Sequence, residues 1–164
     1  MSNKPTILIL DVDGVFTDGT FYYSSEGKIM KKFGSDDNDA LSLLQGKLEI
    51  RAVSGDKRGF EITKKRIQED MGMQLDLVST TERIQWIEKF YNPLDVIYMG
   101  DGIFDALVFD KVGYAIAPAN AIQITKDHAD YITKAFGGHG AVAEAVLHIL
   151  EKYFEPFDML QPSK

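Results

Sequence analysis

The sequence predicts an α/β fold, a doubly wound parallel sheet with a projecting β-hairpin. Three observations carry this. Short, almost purely apolar runs recur and read as strands buried on both faces. Stretches with helical periodicity separate most of them. Carboxylates stand where two of the runs end, and open α/β sheets place ligand sites beyond the carboxyl ends of their strands.

The first run is Thr6-Ile7-Leu8-Ile9-Leu10, opened by Pro5, and it leads into Asp11-Val12-Asp13-Gly14-Val15. Side chains two apart on a continuing strand point the same way, so Asp11 and Asp13 crowd and repel unless a cation or proton intervenes. The pairing points to a metal, a phosphoryl reaction, or both. Next, Thr20-Phe21-Tyr22-Tyr23 and Lys28-Ile29-Met30-Lys31-Lys32-Phe33 flank a Ser/Gly turn and read as the hairpin. The polar stretch from Gly34 to Asp39 offers N-caps for a short helix of about Ala40 to Gln45, ended by Gly46.

A second core strand, Ile50-Arg51-Ala52-Val53, leads to Ser54-Gly55-Asp56. A helix of about Gly59 to Met71 follows, with Phe60, Ile67 and Met71 at helical spacing and Gly72 as its stop. Leu75-Asp76-Leu77-Val78 is a third strand, and Thr80 or Thr81 caps a helix to about Tyr91. The fourth strand, Val96-Ile97-Tyr98-Met99, runs into Gly100-Asp101-Gly102-Ile103-Phe104-Asp105 and a helix to about Lys111. Tyr114-Ala115-Ile116-Ala117 is the fifth strand, after which Asn120 is expected to cap a helix. Tyr131-Ile132 is a short extended piece. Gly137-Gly138-His139-Gly140 forms a loop before a last helix of about Ala141 to Tyr153. One domain over 1–154 and a mobile tail over 155–164 are expected.

The chain has 164 residues, 45% apolar and 26% charged, as expected of a soluble globular protein. Its net charge of −7 argues against a nucleic-acid partner. There is no cysteine, which excludes disulfides and thiolate chemistry. No apolar run approaches the ~20 residues of a membrane span, and the start shows no signal peptide, so the cytoplasm is the expected location.

Asp11-Val12-Asp13-Gly14-Val15-Phe16-Thr17-Asp18-Gly19, following a buried strand, resembles the opening motif of the haloacid dehalogenase superfamily of phosphohydrolases. More narrowly, the chain is similar to the small capless branch that dephosphorylates 3-deoxy-manno-octulosonate 8-phosphate and related nonulosonate 9-phosphates. The resemblance spans about residues 6–150 and implies that the strand carrying Asp101 lies beside the first strand. It makes Asp11 the nucleophile that forms an aspartyl-phosphate and Asp13 the general acid and base. It implies Mg²⁺, held by Asp11, Asp101 and the backbone carbonyl of Asp13. Asp105, four residues beyond Asp101, is given a supporting role. Ser54 and the Gly14 backbone are expected at the phosphoryl oxygens. The family lysine that joins nucleophile and phosphate aligns with Arg83, with Lys64 and Lys65 as alternatives.

Two departures bear on substrate. Asp36-Asp37 stands where the octulosonate enzymes carry Arg-Asp, and Ala135-Phe136 stands where they carry basic residues. His139 is expected in a solvent-exposed loop. No insertion is long enough for a cap domain. The resemblance therefore implies a homotetramer in which the hairpin 20–33 closes a neighbour's site, with a sugar phosphate as substrate. The competing readings are a phospho-accepting receiver and a weakly active assembly subunit.

Overall fold

The computed structural model describes residues 4–160. Six parallel strands form one sheet in the order β5-β4-β1-β6-β7-β8. They are β1 (Ile7–Asp11), β4 (Glu49–Ser54), β5 (Gln74–Leu77), β6 (Val96–Met99), β7 (Tyr114–Ala117) and β8 (Tyr131–Ile132). β1 is central and wholly buried. Its alternation splits the core: Leu8 and Leu10 face one layer, Ile7 and Ile9 the other. Helices α1 (Asp36–Ser42) and α6 (Ala141–Tyr153) pack on the first side. Helices α3 (Arg83–Phe90) and α4 (Asp105–Phe109) pack on the second.

The topology positions the motifs. From β1 the chain adds β4 and then β5 on one side, and returns to add β6, β7 and β8 on the other. The crevice between β1 and β6 is thus the switch point at which such sheets bind ligands. Asp11 pairs in register with Val53, and Leu10 with Met99. Ser54 and Asp101 therefore leave their strands on either side of Asp11.

The hairpin strands β2 (Tyr22–Ser24) and β3 (Gly27–Met30) form a separate two-stranded sheet, as expected. Its polarity is inverted. Tyr22, Tyr23, Ile29 and Met30 are each more than half exposed, while the Lys28 and Lys31 side chains are buried.

Several expected boundaries move. α1 starts at Asp36 rather than Ala40, because Asp36, Asp37 and Asp39 in its first turn complement the helix dipole. The helix expected over 59–71 is α2 (Phe60–Lys64) continued by a π-helical stretch, Lys65–Asp70. Thr80 and Thr81 do not cap α3; Glu82 precedes it without a side-chain cap. Asn120 does not cap α5 (Gln123–Asp127). Its amide instead donates to the Gly14 carbonyl at 2.9 Å and accepts from the Gly137 N–H at 2.7 Å. α4 ends at Phe109, two residues early. Residues 155–160 contain no helix or strand, and the rest of the expected tail, 161–164, lies outside the described residues.

Asp37 joins α1 to α6. It is buried, its Oδ1 accepts the Ala143 N–H at 3.2 Å, and its Oδ2 has no hydrogen-bond partner among the described residues. Burial pushes its carboxyl up to about 6. The folded state then holds this proton more tightly than the unfolded chain, so stability falls as pH rises from about 4 through about 6. Asp37→Asn keeps an acceptor and removes the buried charge. Its melting temperature should exceed wild type at pH 7.5, by the equivalent of ~1–3 kcal/mol, with the gap closing at pH 4. A pH-independent gap would refute this origin.

Candidate active site

The turn after β1 is built for close approach. Gly14 has φ +85°, and a Cβ there would overlap the Asp101 carboxylate. The buried Thr17 hydroxyl closes the turn by accepting the Gly14 and Gly19 N–H groups at 3.1 and 3.2 Å. Asp11 is thereby held against Asp101 across the switch point.

Arg83 opens α3 with its side chain 1% exposed. Its guanidinium engages both Asp11 oxygens, with a hydrogen bond from Nη2 to Oδ1 at 3.0 Å and an ionic contact of Nη1 with Oδ2 at 2.7 Å. The same group donates to Asp105 Oδ1 at 3.0 Å and to the Tyr98 hydroxyl at 2.6 Å. Tyr98 in turn donates to Asp105 Oδ1 at 2.7 Å. Asp105 Oδ2 accepts the N–H groups of Asp101 and Gly102 at 3.0 and 2.9 Å, so Asp105 shapes the loop that presents Asp101. Of the cations considered from sequence, Arg83 alone meets the carboxylates among the described residues. Lys65 pairs with Glu69 and Asp70 in solvent, and Lys64 forms no ion pair with a site carboxylate.

Carboxylate oxygens of Asp11, Asp101 and Asp105 lie within 4.8 Å of one another. With Asp13 and Asp56 included, five carboxylates face three cations, Arg83, Lys28 and Lys31, leaving two negative charges uncompensated. Burial, then Asp11 and Asp105, push the Asp101 carboxyl up to about 8, and burial also raises that of Asp105. A hard oxygen-donor cluster with this surplus charge fits a divalent cation such as Mg²⁺.

The Asp13 side chain stands apart from this cluster and pairs with Lys31. Ser54 is fully buried at the end of β4, and its hydroxyl accepts the Asp56 N–H at 3.2 Å. His139 is exposed, as expected, 3.3 Å from Lys32 Nζ, and Asp36 points to solvent. Sequence reasoning missed Tyr98 and Asp56 as site residues, and it expected Lys31 of the hairpin to offset substrate charge in a neighbour's site, whereas here it pairs with Asp13 of its own chain. A tyrosine inside a wholly buried strand was the available signal for Tyr98, because its hydroxyl must find a partner there.

Comparison with known proteins agrees with this geometry. A family model described as haloacid dehalogenase-like hydrolase matches residues 86–146. The 3-deoxy-D-manno-octulosonate 8-phosphate phosphatase KdsC of Escherichia coli K12 is 31% identical over 150 residues, covering 84% of this chain and 75% of its own. The chain belongs to the haloacid dehalogenase-like hydrolases. The cobalt-bound deoxy-D-mannose-octulosonate 8-phosphate phosphatase of Haemophilus influenzae superposes with a TM-score of 0.80 at 26% identity, covering 90% of this chain and 88% of its own. The Moraxella catarrhalis octulosonate phosphatase, in complex with magnesium, phosphate and KDO, gives 0.78 at 26% identity, covering 90% and 86%. As a member of this family the chain is a phosphoric monoester hydrolase, which sets aside the receiver reading. No helix among the described residues is long and apolar enough to cross a membrane.

Arg83→Met would leave Asp11 and Asp105 buried without their shared cation. Urea unfolding should show a loss of ~3–5 kcal/mol, against ~1–2 kcal/mol for Tyr98→Phe. A loss below ~1 kcal/mol for Arg83→Met would mean that the network does not depend on this charge.

Proposed function

We propose that the chain hydrolyses 3-deoxy-D-manno-octulosonate 8-phosphate with Mg²⁺, through an aspartyl-phosphate on Asp11. The carrying observation is the Asp11 carboxylate, placed at the switch point, gripped by Arg83 and grouped with Asp101. The names of the relatives supply the substrate class. Asp11, Asp101 and the Asp13 carbonyl would hold the metal, with Asp105 in reach. When bound, it supplies positive charge at the phosphoryl oxygens.

An Asp11 oxygen attacks phosphorus while the ester P–O bond breaks, and Asp13 gives its proton to the departing sugar oxygen. Asp13 then takes a proton from water as that water attacks the phospho-aspartate. The P–O bond to Asp11 breaks and inorganic phosphate leaves. Arg83 keeps Asp11 oriented and offsets its charge, while Ser54 and the Gly14 amide receive phosphoryl oxygens. Asp37 is turned into the α1–α6 contact, so of the Asp36-Asp37 pair only Asp36 faces solvent, and the repulsion of a sugar carboxylate is smaller than the sequence implies. Nonulosonate 9-phosphates are the second reading; they carry the same carboxylate, so the cation that Ala135-Phe136 does not supply is lacking for both substrates alike.

The exposed apolar face of the hairpin supports a homotetramer in which each hairpin covers a neighbour's site. Sedimentation should find tetramer at assay concentration; a fully active monomer would contradict this assembly.

In a screen of sugar phosphates with Mg²⁺, the octulosonate 8-phosphate should show the highest kcat/KM, and chelation of the metal should abolish turnover. Asp11→Asn should lose at least ~10³-fold in kcat, and Asp13→Asn ~10²–10⁴-fold. Asp101→Asn should weaken Mg²⁺ binding in calorimetric titration. Near-wild-type turnover by Asp11→Asn, in a preparation free of deamidation, would overturn the mechanism.

A further inference from the structure

Among the described residues, Lys28 and Lys31 are buried cations beside the site that the proposed reaction does not use, and Lys31 is the one that reaches Asp13. The Lys31 side chain is 0% exposed, an expensive place for an ammonium unless every N–H is met. Three acceptor groups surround it. Asp56 Oδ2 and Thr63 Oγ1 each lie at 2.8 Å. Asp13 is straddled, with a hydrogen bond to Oδ2 at 3.0 Å and an ionic contact to Oδ1 at 2.8 Å. An ammonium has three donors, so this set saturates it.

The surroundings are built to keep it there. Asp56 also binds Lys28 and accepts the Gly59 N–H at 3.1 Å. Although burial raises its carboxyl, the two lysines hold it down to about 2, so it stays charged beside them. A Cβ at Gly59 would overlap Asp56 and press on the stems of Lys28 and Lys31. The Phe21 ring lies over both ammonium groups, with centroids 3.4 Å from Lys28 and 5.6 Å from Lys31. The hairpin, the turn after β4, α2 and the turn after β1 thus converge on one nitrogen. Asp13 has no other side-chain hydrogen-bond partner among the described residues, so its orientation depends on Lys31.

We propose that Lys31 is a positioning residue of the phosphatase reaction: held by Asp56 and Thr63, it fixes the Asp13 carboxyl in the orientation that serves the leaving group. This rests on the reading of Asp13 as general acid. In that step the Asp11–phosphorus bond forms, the ester P–O bond breaks, and the Asp13 proton passes to the departing oxygen. A leaving group stable as an anion does not need that proton, whereas a poor one does. A misplaced Asp13 is therefore felt mainly with poor leaving groups. Loss of folding or of general site charge is felt with all of them.

The test compares kcat/KM for phenyl phosphate and 4-nitrophenyl phosphate, which are similar in size and differ in leaving ability. Lys31→Met should lower kcat/KM for phenyl phosphate at least ~10-fold more than for 4-nitrophenyl phosphate. Lys31→Arg should recover part of that difference. Asp56→Asn, which preserves shape and weakens the hold on Lys31, should show the same discrimination at smaller amplitude, and it serves if Lys31→Met does not fold. Asp13→Asn is the reference. If it discriminates while Lys31→Met and Asp56→Asn depress both substrates equally, the positioning role is wrong. If Asp13→Asn itself depresses both equally, the general-acid reading fails and the Lys31 proposal falls with it.

Discussion

A guanidinium buried to 1% exposure lies between Asp11 and Asp105, and the geometry of the site depends on it. Without it, two buried carboxylates at the ends of neighbouring elements would repel across a low-dielectric interior. With it, the end of β1, the start of α3, the middle of β6 and the start of α4 are tied through one planar fork. A lysine could supply the charge but not this pattern, in which one terminal nitrogen donates to Asp11 while the other donates to Asp105 and Tyr98. Arg83 thereby also ties Tyr98 of β6 into the site.

That fixed frame also explains what it leaves unbalanced. Arg83 offsets part of the acidic cluster, Lys31 stands on the separate Asp13, and the oxygens nearest one another remain those of Asp11, Asp101 and Asp105. The switch-point crevice gathers negative charge because three loops end there, and Gly14 and Gly100 let them approach so closely. A phosphoryl substrate adds further negative charge, which is the electrostatic reason a divalent cation belongs to this chemistry.

The hairpin links the chemistry to the surface. It turns its lysines inward to Asp13 and Asp56 and its aromatic and aliphatic side chains outward. Soluble hairpins ordinarily do the reverse. The inward half is explained by the buried ion pairs, and the outward half offers apolar area to a covering partner. One short element can thereby hold the Asp13 carboxyl and present a surface for assembly.

The sequence by itself determined the sheet, because apolar runs such as Ile7 to Leu10 and Val96 to Met99 alternate with helical stretches, and strands so connected are buried on both faces of a parallel α/β core. It also marked Asp11, Asp13, Ser54 and Asp101, because polar residues that end such runs are placed at the ligand edge by topology alone. Local propensity misjudged Thr80, Thr81 and Asn120, whose capping chemistry lost to tertiary partners or to none. The resemblance aligned Arg83 with the family lysine and left Lys64 and Lys65 open, and tertiary structure decided among the three. Arg83 is 72 residues from Asp11 in the chain, and no periodicity separates it from Lys64 or Lys65. Tertiary structure alone also turned Asp37 inward and Lys31 toward Asp13. These outcomes depend on which buried charges find partners when separate elements pack, and a linear pattern does not encode that distance.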